Sequence, residues 1–264
     1  MLVLTWNLFH GRTLPASKRR RFRPMVERIT EDRPAIVALQ ELGAGTLGGL
    51  AEWSGYRAYG DISARPRLPH PLGTVITDLN PNLLRSAVEG QAIALLVDPD
   101  LRVDDHRSIV LNSGRYRARI AAELELGLHA RLWWARERRV CQALRVRFPD
   151  DRTAVVANYH ATSYHDRRLA DAELRRAASF AVGLADRDDA VVLAGDFNLT
   201  VVTSPTLREL STPTWGFSPA GPGLDHVLVR GLEVRHAERH WSEDLRRHEG
   251  VLLSDHAPVE LEVA

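Results

Sequence analysis

Short apolar runs that end in polar residues recur along the chain, and their length and bounding turns predict strands. Leu2 to Trp6 reads as the first, ending in Asn7, and Ala35 to Leu39 as the second, entered through Pro34 and ending in Gln40 and Glu41. Further strands are read at Thr74 to Thr77, Ala92 to Val97, Val140 to Phe148 and Thr153 to Ala157, the last running into Asn158-Tyr159-His160. Val191 to Ala194, bounded by the Asp186 to Asp189 turn, reads as a buried strand closed by Gly195. Gly223 to Val229 carries Asp225-His226, and a last strand, Ala257 to Val263, follows Ser254-Asp255-His256.

Helical periodicity shows in two places. Ser17 would cap a helix running to about Asp32, with Phe22, Met25, Val26 and Ile29 as the buried stripe. Asp166 to Asp186 is the strongest helix, with Ala170, Leu174, Ala177, Ala181 and Leu184 on one face. Asp61 to Gly73 is proline-rich and reads as a loop, and the turn Asp98-Pro99-Asp100 follows the Ala92 strand. From Asn112 to Arg139 no period emerges: arginines interleave with Tyr116, Trp133 and Trp134, a mixture that suits either phosphate and base contacts or an exposed edge hairpin.

Composition narrows this picture only modestly. With 264 residues, 44% hydrophobic content and no linker, one domain over 1–264 is expected. A formal net charge of +1 is no nucleic-acid signature by itself, although Lys18 is the only lysine and arginine carries nearly all the positive charge. Cys141, the single cysteine, excludes an internal disulfide and reads as a buried, inert thiol. The start of the chain lacks a signal-peptide pattern and no run is long enough to span a bilayer, so a cytoplasmic protein is expected, with no protein partner evident.

The candidate chemistry lies at the strand ends. Asp196 and Asn198 share a face by alternation, although a surface turn closed by an Asx hydrogen bond would carry the same pair. Glu41, Asp196, Asp225 and Asp255 are carboxylates at such ends, and Asn7 and Asn198 add carboxamides. An oxygen-rich set suits Mg2+, or Mn2+, while the lack of clustered cysteines or of a His-Glu-x-x-His pattern argues against zinc. Magnesium keeps waters and shares its shell with phosphate, so sparse carboxylates fit a phosphoester enzyme, with Glu41 as the first metal ligand and Asp255 and Asn7 next. Asp196 would then orient and deprotonate the attacking water, Asn198 would donate to the phosphoryl group, and His160 and His256 would hold the phosphate. His226 follows Asp225 on the opposite face of its strand and reads as structural.

In order, Trp6-Asn7, Gln40-Glu41, Asn158-Tyr159-His160, Gly195-Asp196-Phe197-Asn198, Leu224-Asp225-His226 and Ser254-Asp255-His256 resemble the endonuclease/exonuclease/phosphatase superfamily, the deoxyribonuclease I type, over nearly the whole chain. The resemblance implies a four-layer α/β/β/α sandwich, two mixed sheets face to face with helices outside. It also implies Asp225 as the partner of His256 and supports Asp255 and Asn7 as metal-site residues. A metal-dependent phosphoesterase is expected, with DNA or RNA as the leading substrate class. The alternatives are a small-molecule or lipid phosphoester and, less favoured, an inert phosphate-binding member. Asp98-Pro99-Asp100 stands where many members carry a Ser-Arg-Tyr-Pro-like segment, which weakens a DNA-repair reading but leaves the hydrolytic core intact.

Overall fold

The computed structural model describes residues 1–16, 20–64 and 90–264. Ser17, the expected helix cap, and the expected strand at Thr74 to Thr77 lie outside the described residues, as do Arg65 and Arg67. Two large sheets face each other. One has six strands in the order β11 (Arg239–His240), β14 (Val259–Glu262), β1 (Leu2–Asn7), β3 (Ile36–Gly43), β5 (Gln91–Val97) and β4 (Arg57–Ala64). The other has five, β10 (Asp225–Arg230), β9 (Ala190–Asp196), β8 (Thr153–His160), β7 (Val140–Arg147) and β6 (Arg102–Val110). A small third sheet joins β12 (Arg247–His248), β13 (Val251–Leu253) and β2 (Thr13–Leu14).

Alternation along each strand sorts the apolar residues into layers. Val3, Ile36, Ala38 and Leu95 of one sheet pack against Val156, Val192, Ala194 and Val227 of the other. Their neighbours point outward: Leu4, Trp6, Val37 and Leu39 meet Met25, Val26 and Ile29 of helix α1 (Phe22–Thr30). On the opposite side Val155, Ala157 and Leu193 meet Leu174, Ala177 and Ala181 of α5 (Arg168–Leu184). The result is the expected α/β/β/α sandwich, with both sheets mixed, since β1 and β3 run parallel, as do β8 and β9.

Two expectations are corrected, and one strand is added. Asp61 to Ala64 belong to strand β4, whose Arg57, Asp61 and exposed Ile62 break the apolar pattern because this edge strand faces solvent. Strand β6, another mostly exposed edge, was not legible at all in its charged sequence. Residues 112–139 form neither hairpin nor loop but two helices, α3 (Gly114–Glu123) and α4 (Leu128–Arg136), which pack with Leu126, Trp134 and Leu169 into a satellite core. Cys141 is buried and burial pushes its thiol pKa up, in keeping with an inert group.

Candidate active site

Because alternation puts Val3, Ala38, Val156, Ala194 and Val227 on the inner faces, it also puts Asn7, Gln40, Asn158, His160, Asp196 and Asp225 there. Strands β1, β3, β8 and β9 end at one edge of the sandwich, and antiparallel β10 begins there, so Asp225 stands opposite Asp196. Strand β14 runs antiparallel to β1, and the turn before it brings Ser254 and His256 to the same edge.

Part of this polar set is structural. Gln40 donates to Thr5 Oγ1 at 3.0 Å and to Asn158 Oδ1 at 2.8 Å, while Asn158 Nδ2 donates to the Leu39 and Ala94 carbonyls. Those bonds join the two sheets beneath the cleft. They also spend the side chain of Asn158 on the framework.

The reactive groups lie just beyond. Asn7 Nδ2 donates to Asp196 Oδ2 at 2.9 Å, and Asp196 Oδ1 accepts from the Asn198 backbone at 2.9 Å. Asn198 Nδ2 donates to the Ala161 carbonyl at 3.2 Å, and Arg167 Nη1 to the Asn198 carbonyl at 3.1 Å. His256 Nδ1 lies 2.7 Å from Asp225 Oδ2, and one atom each from Asp196, Asp225 and His256 falls within a 4.8 Å cluster. Glu41 lies on the other side, with Oε2 3.1 Å from His10 Nε2 and Oε1 3.8 Å from His160 Nε2. His160 Nε2 is 3.5 Å from Asp196 Oδ2, which connects the two halves.

Backbone geometry explains why Glu41 reaches the cleft. Simple alternation would send it to the face opposite Gln40. A register shift between Leu39 and Leu42 and a φ of 53° at Glu41 make a β-bulge that turns its side chain toward His10 and His160. His10 (φ 54°), Asn198 (φ 53°) and Ser254 (φ 61°) share this costly left-handed conformation. Bonds hold the Asn198 and Ser254 turns: Ser254 Oγ donates to the Asn7 carbonyl and accepts from the His256 backbone. Gly195, expected to close its strand, instead lies inside it. At φ 147° its missing side chain admits the Tyr159 carbonyl, which a Cβ would meet at 2.0 Å.

The environments drive the ionisations apart. Burial and the adjacent Asp225 push Asp196 up to about 7. Burial disfavours charge on His256, but its hydrogen bond to Asp225 prevails and raises it to about 10. Burial would raise Glu41, yet His10 and His160 together draw it down to about 2. Burial and then Arg139 push His160 down to about 3, so it is neutral. Arg139 Nη1, a pure donor, approaches His160 Nδ1 at 3.3 Å, which assigns the ring proton to Nε2, facing the cleft.

A cleft of about 320 Å³ opens on the Glu41 side of this cluster, lined by His10, Glu41, His160, Trp133, Arg136 and Arg139. Of the residues singled out in the sequence, Glu41 and His160 line it, and Asn7, Asp196, Asn198, Asp225 and His256 gather beside it through the His160 to Asp196 contact. Asp255 is exposed on the His256 turn, where its charge acts on His256 and Arg246. Arg246 is buried and donates to the carbonyls of Leu253, Ser254 and His256. His226 is structural as expected, buried between the Leu199 carbonyl and Glu238. Neither turn chemistry nor periodicity marks Arg139 and Arg167 for these contacts, and His10 reads in the sequence only as one plausible substrate contact among several.

The two-sheet sandwich and the acidic, histidine-bearing edge define a protein of the deoxyribonuclease I type. The profile of the Endonuclease/Exonuclease/phosphatase family matches residues 4–256. The chain belongs to that family, whose members hydrolyse phosphoester bonds and generally use divalent metals. Solved structures agree on the fold. A zebrafish (D. rerio) TDP2 complexed with single-strand DNA product has a TM-score of 0.66 at 14% identity, covering 99% of this chain and 97% of that one. The human Nocturnin catalytic domain with bound sulfate anion scores 0.64 at 15% identity, covering 100% and 93%. A functionally unknown conserved protein from Enterococcus faecalis V583 scores 0.68 at 15%, covering 100% and 99%. No curated protein sequence matches.

Proposed function

We propose that the chain is a divalent-metal-dependent phosphodiesterase that cleaves nucleic acid by in-line attack of water. The observation that carries this reading is the meeting of Asp196, Asp225 and His256 within 4.8 Å, beside the Glu41 and His160 pair on the cleft floor. A relative of this fold holds a single-strand DNA product and another a sulfate, both phosphate-like anions at the level of charge.

The donor set fits a hard cation. Glu41 is ionised at the cleft and presents carboxylate oxygen, while Asn7 gives its Nδ2 to Asp196 and keeps one lone pair of Oδ1 beyond the bond it accepts from the Phe9 backbone. Glu41 and Asn7 would hold the metal, with Asp255 as a third ligand from the His256 turn. A bound magnesium would offset charge on the phosphate and the leaving oxygen. The Asp196, Asp225 and His256 cluster already contains its own cation, protonated His256, and is better suited to moving protons than to holding metal.

Asp196, poised at about 7, is matched to accepting a proton from water near neutral pH. Asn7 and the Asn198 backbone fix its two oxygens, so its free lone pairs point in a set direction. Asn198 gives one amide hydrogen to Ala161 and keeps a second for the phosphoryl group. His160 Nε2–H and His256, the latter held cationic by Asp225, would bind the non-bridging oxygens.

The test is nicking of supercoiled plasmid in magnesium by wild type, by Asp196→Asn and by wild type with EDTA, repeated at rising salt. Cleavage that disappears in both controls and weakens with salt supports the nuclease reading. The modest cleft volume favours one other reading, hydrolysis of a small or lipid phosphoester. Salt-insensitive turnover of such a substrate with no plasmid nicking would select it.

A further inference from the structure

We infer that Trp133, backed by Tyr164, is a stacking platform for the nucleobase of the nucleotide whose phosphate occupies the cleft floor, an inference that rests on the phosphoester reading for the phosphate's position. Adjacent tryptophans on α4 behave in opposite ways. Trp134 is 1% exposed in the satellite core, whereas Trp133 is 37% exposed and lines the cleft with Glu41 and His160. Core packing accounts for Trp134, whereas Trp133 leaves apolar ring area exposed to the cleft.

The Trp133 ring stacks on Tyr164, with centroids 5.2 Å apart and planes 26° from parallel. Its Nε1 donates to the Ser163 carbonyl at 3.3 Å, and Tyr164 Oη lies 2.6 Å from His129 Nδ1. Arg136, also in the cleft wall, places its guanidinium carbon 5.2 Å from the indole centroid. The guanidinium lies over the indole that Tyr164 backs, so a base taking its place on Trp133 leaves Arg136 to turn to the phosphate.

The surface is also rigid, which lowers the ordering cost of stacking on it. Glu173, fully buried on α5, accepts from Trp134 Nε1 at 2.6 Å, from the Thr162 backbone at 2.7 Å and from Thr162 Oγ1 at 2.8 Å. One carboxylate thus ties the residue after Trp133 to the segment that carries Tyr164. The two rings are set by a single anchor behind them.

The test compares ligands that differ only in the base. Binding of AMP, ribose 5-phosphate and a short oligodeoxyadenylate is measured by calorimetry in magnesium, on the slow Asp196→Asn chain with Trp133 intact, changed to Ala or changed to Phe. With Trp133 intact, AMP should bind about tenfold more tightly than ribose 5-phosphate. Trp133→Ala should erase that ratio with no change in ribose 5-phosphate affinity, and Trp133→Phe, which keeps a ring on Tyr164, should restore most of it. Tighter binding of the oligonucleotide than of AMP assigns the base to a strand, and equal binding assigns it to a free nucleotide. A ratio near one with Trp133 intact, a ratio unchanged in Trp133→Ala, or no AMP binding in the millimolar range overturns the inference. Turnover of bis(p-nitrophenyl) phosphate by the Asp196-bearing chain reports separately on the phosphoesterase reading. An active enzyme without base preference sinks the stacking surface alone, and an inert chain with a Trp133-dependent preference sinks the hydrolase reading alone.

Discussion

Asp196 and Asp225 stand directly opposite each other on antiparallel strands β9 and β10, both buried, with His256 bonded to Asp225 at 2.7 Å. Two carboxylates at such a position repel each other, and the cost is tolerated because protonated His256 supplies the compensating charge. The arrangement separates the two groups: Asp225 bonds the histidine, and Asp196, in a disfavoured charge state, is raised to about 7, the range that the proposed role of base requires.

Asp196→Asn is expected to lower turnover on the order of a thousandfold or more while leaving the fold intact. It removes the like-charge repulsion from Asp225, so thermal stability at neutral pH should be equal or higher. Steady-state kinetics alongside a melting curve check both halves, and near wild-type turnover would remove Asp196 from the role of base.

Asp225→Asn should move the alkaline limb of the rate profile to lower pH. His256 is raised to about 10 by Asp225, so its charge, and the phosphate contact, is lost only as pH climbs through that value. Without the carboxylate the imidazole returns toward its ordinary 6.5, and the loss begins there. The same sign holds for stability: the contribution of the pair is complete below about 6.5 and is lost toward about 10. Proton NMR titration of His256 in both proteins measures the shift, and an unmoved resonance would show that the pair is not coupled.

Glu41→Gln should raise the magnesium concentration needed for half-maximal rate by at least on the order of tenfold, and EDTA should abolish turnover until magnesium is restored. A readout without metal is also available. Glu41 is depressed from 4.5 to about 2, so its charge stabilises the fold above its ordinary value and ceases to do so as pH falls toward 2. In chelated protein, the melting-temperature gap between wild type and Glu41→Gln should be widest near neutral pH and close on acidification. A gap independent of pH would break the link to His10 and His160.

Glu173→Ala should cost about 2–5 kcal/mol, because Trp134 Nε1 and the Thr162 amide would be left buried without an acceptor. Glu173→Gln keeps one acceptor oxygen and should cost less. Urea unfolding of the three proteins measures the order, and equal stabilities would mean that water replaces the carboxylate.

Much of this site was legible because strand alternation has a period of two. Asn7, His160 and Asp196 follow, and Asp225 precedes, inward-facing apolar residues by an even number of positions, so the pattern that builds the core also assigns their face. The pairing of His256 with Asp225 was reached only through resemblance to the family, and the 2.7 Å contact supplies its geometry. Strands β4 and β6 stayed hidden because edge strands bury little and their sequences carry charge. Helices α3 and α4 stayed hidden because arginine stems and paired tryptophans cover more than one face and blur the helical period.

The places of the core strands along the chain, the facing of their inner residues and the polar character of the strand ends were determined by the sequence itself, since burial of alternate residues is a local property of each strand. Tertiary structure decided the rest. The bulge that turns Glu41 into the cleft depends on its mismatch with β5, and the contacts of His10 and Arg139 depend on loops folded over the sheet ends. The exposure of Trp133 beside a buried Trp134 depends on where α5 places Glu173. Each is set by chain segments distant in sequence, and no local pattern carries that information.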